Sequence, residues 1–158
     1  MRLTTFTDYS LRVMMYVAAH PEGRATIGEI AKSYDISEHH LTKVVHFLGR
    51  TGLIETVRGK GGGFSLAQPA AEIVLGDVVR QTEGAAVPAE CFDADGGHCL
   101  IAAACHLKGV LQEAVEAFYV VLDGYTLADL VRNRDELAAV MFVQRRPVPP
   151  ARATRPKA

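Results

Sequence analysis

The chain has 158 residues, 49% of them hydrophobic and 22% charged, with no tryptophan and only 7% aromatics. That length and balance describe one domain of ordinary size, or a small domain plus an arm, and exclude a disordered or collagenous chain. A formal charge of −1 argues at face value against a nucleic-acid partner. Apolar runs such as Val13–Ala19 fall far short of the roughly 20 residues that a membrane span needs.

The average charge hides its parts. Residues 1–67 hold eight Lys/Arg against six Asp/Glu, a local charge of +2, together with four of the six histidines. Residues 68–143 hold four against twelve, or −8, and residues 144–158 hold five against none, or +5. Such a division suits separate binding and sensing parts, although charge runs are more often plain solvated faces. Arg2, an apolar stretch and Ala18-Ala19 imitate a secretory signal only weakly, because Asp8 and Arg12 interrupt them. The expected location is the cytoplasm, where clustered thiols stay reduced and free to bind metal.

In chain order, residues 8–20 read as a helix, with Thr7 as its cap, Asp8 complementing the dipole, and Pro21 as its stop. Thr26 and Glu29 have the spacing of a capping box, which predicts a short helix to about Tyr34. Asp35 and Ile36 make a tight turn. Ser37 then caps a third helix, whose Leu41, Val44, Val45 and Leu48 recur at helical spacing, and Gly52 ends it. Leu53–Val57 alternates as a strand, Arg58–Gly63 is a hairpin tip, and Phe64–Leu66 returns. A helix is expected near Gly76–Thr82, then loop over residues 84–99. A long helix follows from about Ala102 to Leu122. Its stripe of Leu107, Val110, Leu111, Ala114, Phe118, Val121 and Leu122, widened by Val115 and Tyr119, exceeds the needs of one neighbour. The tail 143–158, with four prolines and few packing residues, is expected to be disordered.

Helix, turn, helix and hairpin is the order of a winged helix-turn-helix, so the fold class is mostly α with a two-stranded wing. A helix fits the major groove, and its early residues meet base edges. Here those are Ser37, Glu38, His39, His40, Thr42 and Lys43. The wing tip offers Arg58 and Lys60 for phosphates or a narrow minor groove, and Gly61 and Gly62 for close backbone approach. The competing readings are a protein-interaction module and a nucleotide-phosphate loop. The second lacks the G-x-x-x-x-G-K-[ST] spacing and lies between strands, not before a helix. His39 and His40 read as surface polar residues more readily than as metal ligands.

Cys91, Cys99 and Cys105 fall within fifteen residues of one another, an odd cluster that suits metal or redox chemistry better than disulfides. Zinc usually takes four protein ligands at closer spacings. Iron–sulfur clusters accept wider spacings and a non-cysteine fourth ligand. Buried apolar cysteines remain an alternative, as does a catalytic thiol with His98 or His106 as base. Nothing marks the third, orienting group that catalysis needs, and no enzyme is expected.

Several stretches together carry a resemblance: MRLTTFTDYSLRVMMYVA, IGEIA, YDIS, HLTKVVHFLGRTGLIETVRGKGGGFSLA, IxxGDVVRxTEG, the three cysteines and the late DGYTLADLV. Over residues 1 to about 142 the chain resembles the iron–sulfur winged-helix repressors, and its last motif resembles their nitric-oxide-sensing, NsrR-like branch. The resemblance implies a homodimeric transcriptional repressor paired through the long helix and bound to a double-stranded operator, an inverted repeat. It implies a [4Fe–4S] cluster, with [2Fe–2S] as the alternative, and release from DNA when nitric oxide reacts there. Its ligands would be Cys91, Cys99, Cys105 and Asp8 of the other subunit, with Glu90, His98 and His106 as rivals to Asp8. Lys108 stands where the IscR-like branch has a histidine ligand, and the gap between Cys91 and Cys99 is longer than in several members. Arg12, one turn after Asp8, would couple cluster to reader.

The expected division is a winged helix-turn-helix at 1–67, a connecting helix and cysteine loop at 68–106, a dimerisation helix and C-terminal helix at 107–142, and the basic tail at 143–158. The competing functions are an IscR-like regulator of iron–sulfur or redox status, and a zinc or thiol protein without a DNA role.

Overall fold

A computed structural model of the chain describes residues 2–57, 59, 62–84, 89, 92, 99–101 and 104–142. The elements run α1 (Thr5–Ala19), α2 (Ile27–Tyr34), α3 (Glu38–Arg50), β1 (Ile54–Val57), β2 (Gly63–Leu66), α4 (Leu75–Glu83), α5 (His106–Asp123), α6 (Leu127–Leu130) and α7 (Arg134–Met141). This is the mostly helical winged helix-turn-helix that the sequence predicts. The strands pair antiparallel, Ile54 opposite Leu66 and Val57 opposite Gly63.

Helix α1 is the hub, packed against α3, α4, α6, α7 and β2. Its Val13, Met14, Tyr16 and Val17 are buried among Ile30, Leu41, Val44, Leu48, Phe64 and Leu127. Two hydroxyls buried on it are satisfied locally. Ser10 donates to the Phe6 carbonyl at 2.8 Å, and the Thr7 and Thr4 hydroxyls share a hydrogen bond of 3.1 Å. The cap of α1 is Thr4, not Thr7. Thr4 Oγ1 accepts from the Thr7 amide at 3.2 Å, so the helix begins a turn earlier than its apolar pattern suggests. Glu83, at the far end of α4, accepts from the Thr4 amide at 2.8 Å and holds this start in place.

The reader's local signals have clear physical causes. The capping box is complete: Glu29 Oε2 accepts from the Thr26 amide at 2.7 Å, and Thr26 Oγ1 accepts from the Glu29 amide at 3.3 Å. Asp35 turns the chain in the left-handed region at φ 56°. Ser37 takes the cap position of α3, but its side chain makes no capping bond. Helix α3 closes with Gly52 at φ 73°. The Leu53 amide reaches back to the Leu48 carbonyl at 3.0 Å and the Gly52 amide to Gly49 at 3.3 Å, the paired bonds of a Schellman ending.

Helix α5 begins at His106, not near Ala102, with Cys105 at its cap position. Its Leu111, Val115, Phe118, Tyr119 and Leu122 are half-buried. Arg80 of α4 clasps Asp123 at the end of α5 through two hydrogen bonds of 2.7 Å, and its guanidinium lies 4.5 Å from the Tyr119 ring centre. Gly76 makes room for this clasp, because a Cβ there would lie 1.8 Å from Asp123 Oδ1. Asp123 is held below the usual carboxylate range, chiefly by the Arg80 hydrogen bonds. Beyond α5 the chain runs alongside residues 73–75, with the Leu75 amide on the Tyr125 carbonyl at 3.0 Å and the Leu127 amide on Ile73 at 2.8 Å. A second capping box, Thr126 with Asp129, starts α6.

Candidate nucleic-acid interface and cysteine site

The start of α3 presents an exposed polar face. Leu41, Val44, Val45 and Leu48 anchor one side in the core, while Ser37, Glu38, His39, His40, Thr42 and Lys43 are all exposed on the other. The Thr42 hydroxyl donates to the Glu38 carbonyl at 2.7 Å, which leaves its oxygen lone pairs to accept from a partner. The His40 ring lies 6.3 Å from Tyr9 of α1 and 6.1 Å from His39. The exposed face continues to His46 and Arg50, which sequence reasoning missed. Their spacing of three and four residues from Lys43 and His46 carries that signal.

At the wing, Val57 and Gly63 close the ladder and Phe64 is buried beneath it. A Cβ on Gly62 would meet the Val57 carbonyl oxygen at 2.6 Å and that of Gly59 at 2.7 Å. Glycine at 62 is therefore required by the close backbone of the tip, in addition to any approach to a ligand. Arg58, Lys60 and Gly61 lie outside the described residues.

Of the cysteines, Cys99 and Cys105 are half-buried at the root of α5, while Cys91, Glu90 and His98 lie outside the described residues. His106 and Lys108 occupy the first turn of α5. Among the described residues no three His, Cys, Asp or Glu side chains come close enough together to hold a metal ion. Asp8 faces Arg12 instead, with the Arg12 Nε on Asp8 Oδ1 and a second nitrogen on Oδ2, both at 3.0 Å. Arg12 in turn lies 5.8 Å from the ring centre of Tyr34, the last residue of α2. Burial pushes the Tyr34 phenol up to about 12 against the lowering effect of Arg12, so it remains a donor, and it bonds the Arg12 carbonyl at 3.4 Å. A path of contacts thus joins Asp8 to the first helix of the helix-turn-helix.

A model of the Rrf2 family, described as iron-dependent transcriptional regulators, matches residues 3–133. The chain belongs to the Rrf2 family. Among its relatives, the HTH-type transcriptional regulator NsrR of Geobacillus kaustophilus is 48% identical over 146 residues, covering 92% of this chain and 99% of that one. The regulator of the same name from Bacillus subtilis is 46% identical over 142 residues, 89% of this chain and 97% of that one. In structure the chain is similar to T. potens IscR, with a TM-score of 0.68 at 29% identity over 87% of this chain and 90% of that one. This Rrf2 member is a helix-turn-helix transcriptional regulator and not an enzyme. No helix among its described residues is long and apolar enough to cross a membrane.

The donor set suits the iron–sulfur chemistry of Rrf2 regulators. Both described thiols are partly open to solvent, and Cys105 stands at the cap position of α5, where a negative group is favoured by the helix dipole. They fall short of a full ligand set, and the described part of one chain does not supply the rest.

Proposed function

We propose that the chain is a homodimeric DNA-binding repressor of the cytoplasm that senses nitric oxide through an iron–sulfur cluster. Cys91, Cys99 and Cys105 would hold the cluster, probed first as [4Fe–4S], with Asp8 of a second copy as fourth ligand. The observation that carries the reading is the near end-to-end similarity to regulators named NsrR, in a chain with three cysteines between 91 and 105. When bound, the cluster supplies iron that reacts with nitric oxide. The chain's own residues do the remaining work.

Residues 1–67 read an inverted-repeat operator through Ser37, Glu38, His39, His40, Thr42 and Lys43, with Arg58, Lys60, Gly61 and Gly62 of the wing on the flanking backbone. Residues 107–142 supply the dimer contact through α5. Its outer stripe is largely uncovered by the described residues: Leu107, Val110 and Val121 are 60%, 61% and 60% exposed. Residues 68–106 connect the two. Dimer readers need a fixed distance between half-sites. Arg12, paired with Asp8 and packed on Tyr34, links ligand to reader. Asp8 would serve either a partner's cluster or Arg12, and its pairing with Arg12 bears on how α2 is held through Tyr34. The IscR-like alternative has Lys108 against it.

The test is a DNA-binding titration, from promoter DNA of the chain's own operon, with anaerobically purified, cluster-free and nitric-oxide-treated protein. The cluster-bound form should bind at least about tenfold more tightly than the other two, or about 1.4 kcal/mol. Equal affinities in all three would refute the sensing role.

A further inference from the structure

The polar face of α3 is backed by rings from another helix. Helix α1 lies against α3, and two of its aromatic side chains meet aromatic side chains there. Phe6 stands edge-on to Phe47, with ring centres 5.2 Å apart at 85°. Tyr9, one turn further along α1, faces His40, with centres 6.3 Å apart at 38°. Both separations fall within the roughly 4.5–7 Å at which aromatic pairs attract. The two pairs differ in kind. Phe6 and Phe47 are both half-buried at the edge of the core and bind helix to helix. Tyr9 is half-buried there too, but His40 is exposed and is the third residue of α3. The His39 ring lies 6.1 Å from His40. A core-anchored ring thus backs an exposed one on the polar face.

Helix α1 is a firm backing because it is fixed at both ends. Glu83 accepts from the Thr4 amide at its start. At its other end α7 packs on it, and Arg134 donates to the Ala19 carbonyl at 3.0 Å and to the His20 carbonyl at 2.6 Å. Helix α7 also reaches α2, where the Ser33 hydroxyl donates to the Met141 carbonyl at 2.8 Å. An imidazole can donate and accept hydrogen bonds. On an open helix start its side-chain torsions are free, and a base contact must overcome the cost of ordering them. A fixed ring behind it orders them before DNA arrives.

We infer, on the reading of α3 as the helix that meets the operator, that Tyr9 is a positioning residue for base recognition. Its ring holds the His40 imidazole in the orientation from which it meets a base edge in the major groove. One determinant of base preference therefore lies on α1, outside the helix that enters the groove.

The experiment uses anaerobically purified full-length protein and promoter DNA of the chain's own operon, with each base pair of one half-site replaced in turn. The variants are Tyr9→Leu, Tyr9→Phe, His40→Ala and the double variant Tyr9→Leu/His40→Ala. Tyr9→Leu keeps an apolar body in the space and removes the ring. It should lower discrimination by about threefold to tenfold at one base pair, the same one that His40→Ala affects. The salt slope and the affinity for a duplex of mixed sequence should not change, because no phosphate contact is lost. The double variant should be no worse than His40→Ala, since both residues act through one contact. Tyr9→Phe should behave as wild type. Additive losses, or a loss spread evenly over all base pairs, overturn the inference. So does an equal loss in Tyr9→Phe, which would assign the role to the phenol hydroxyl. Where Tyr9→Leu lowers the thermal midpoint, Tyr9→Met, whose flexible side chain adapts to the gap, repeats the comparison. Lys43→Ala, outside the ring pair, tests the reader by itself. If it alters a base preference and Tyr9→Leu does not, the inference falls and the reader stands. If neither Lys43→Ala nor His40→Ala alters one, the reader falls and the inference with it.

Discussion

Asp8 sits a turn before Arg12 on a half-exposed stretch of α1, and its observed pairing and its proposed ligand role make opposite demands. As a helix partner it contributes the ordinary worth of a surface i,i+4 pair, about 0.3–0.5 kcal/mol. As the proposed ligand it would have to leave Arg12 for a cluster on another chain. Asp8→Ala separates the two. The variant should change or lose the visible absorption of the cluster while its thermal midpoint moves by a few degrees at most. An unaltered spectrum with an unaltered nitric oxide response would return Asp8 to its pairing with Arg12. Local residue chemistry was readable where both partners lie within one turn: the Thr26–Glu29 box is present as spaced. The Thr7 cap was misplaced because three threonines, at 4, 5 and 7, all have the right chemistry. The choice of Thr4 is backed by Glu83, a contact from 79 residues away that no local pattern contains.

Among the elements, α5 leaves part of its apolar stripe largely exposed by the described residues. One edge of its apolar stripe, Leu111, Val115, Phe118 and Leu122, is half-buried toward α4, and the adjoining edge of Leu107, Val110, Ala114, Ala117 and Val121 lies open. Val110→Glu should therefore convert the proposed dimer to monomer in sedimentation while leaving the helix content of each protomer intact. Operator affinity should fall by about a hundredfold or more, as two linked half-sites become separate events. A variant that still sediments as a dimer would show that α5 does not form the contact. The breadth of this stripe was legible from periodicity alone, because both of its edges are apolar. Its beginning was not. Residues 102–104 are alanines that favour helix by propensity, yet α5 starts at His106. The helix-turn-helix and wing, by contrast, follow from short-range signals: a left-handed Asp35, Gly52 at the end of α3, and alternation across residues 53–57.

At the scale of the molecule, the halves are joined by a shared core and by side-chain pairs far apart in sequence. The Arg80–Asp123 clasp holds α4 to α5, and Gly76 leaves the space in which it forms. Gly76→Ala should destabilise the wild-type chain by displacing the Asp123 carboxylate. In an Asp123→Ala background the same change should stabilise by about 0.5–1 kcal/mol, the usual gain of alanine over glycine in a helix. Urea unfolding of the four proteins measures this, and equal effects in both backgrounds would show that no steric coupling exists. Such long-range pairs were invisible in the sequence, as was the return of α7 to the reader, since neither leaves a local signature. The net charge was misleading for the same reason: it averages over parts that the fold keeps apart. The Arg134 contact has a consequence for how the protein is made. The carbonyls that end its first helix are completed by a residue more than a hundred positions downstream. During synthesis the N-terminal reader emerges first, with that helix end open to water, and it is finished only when the last helix arrives. An interrupted translation product thus lacks the piece that steadies its own reader, and only complete chains present a finished surface to the operator.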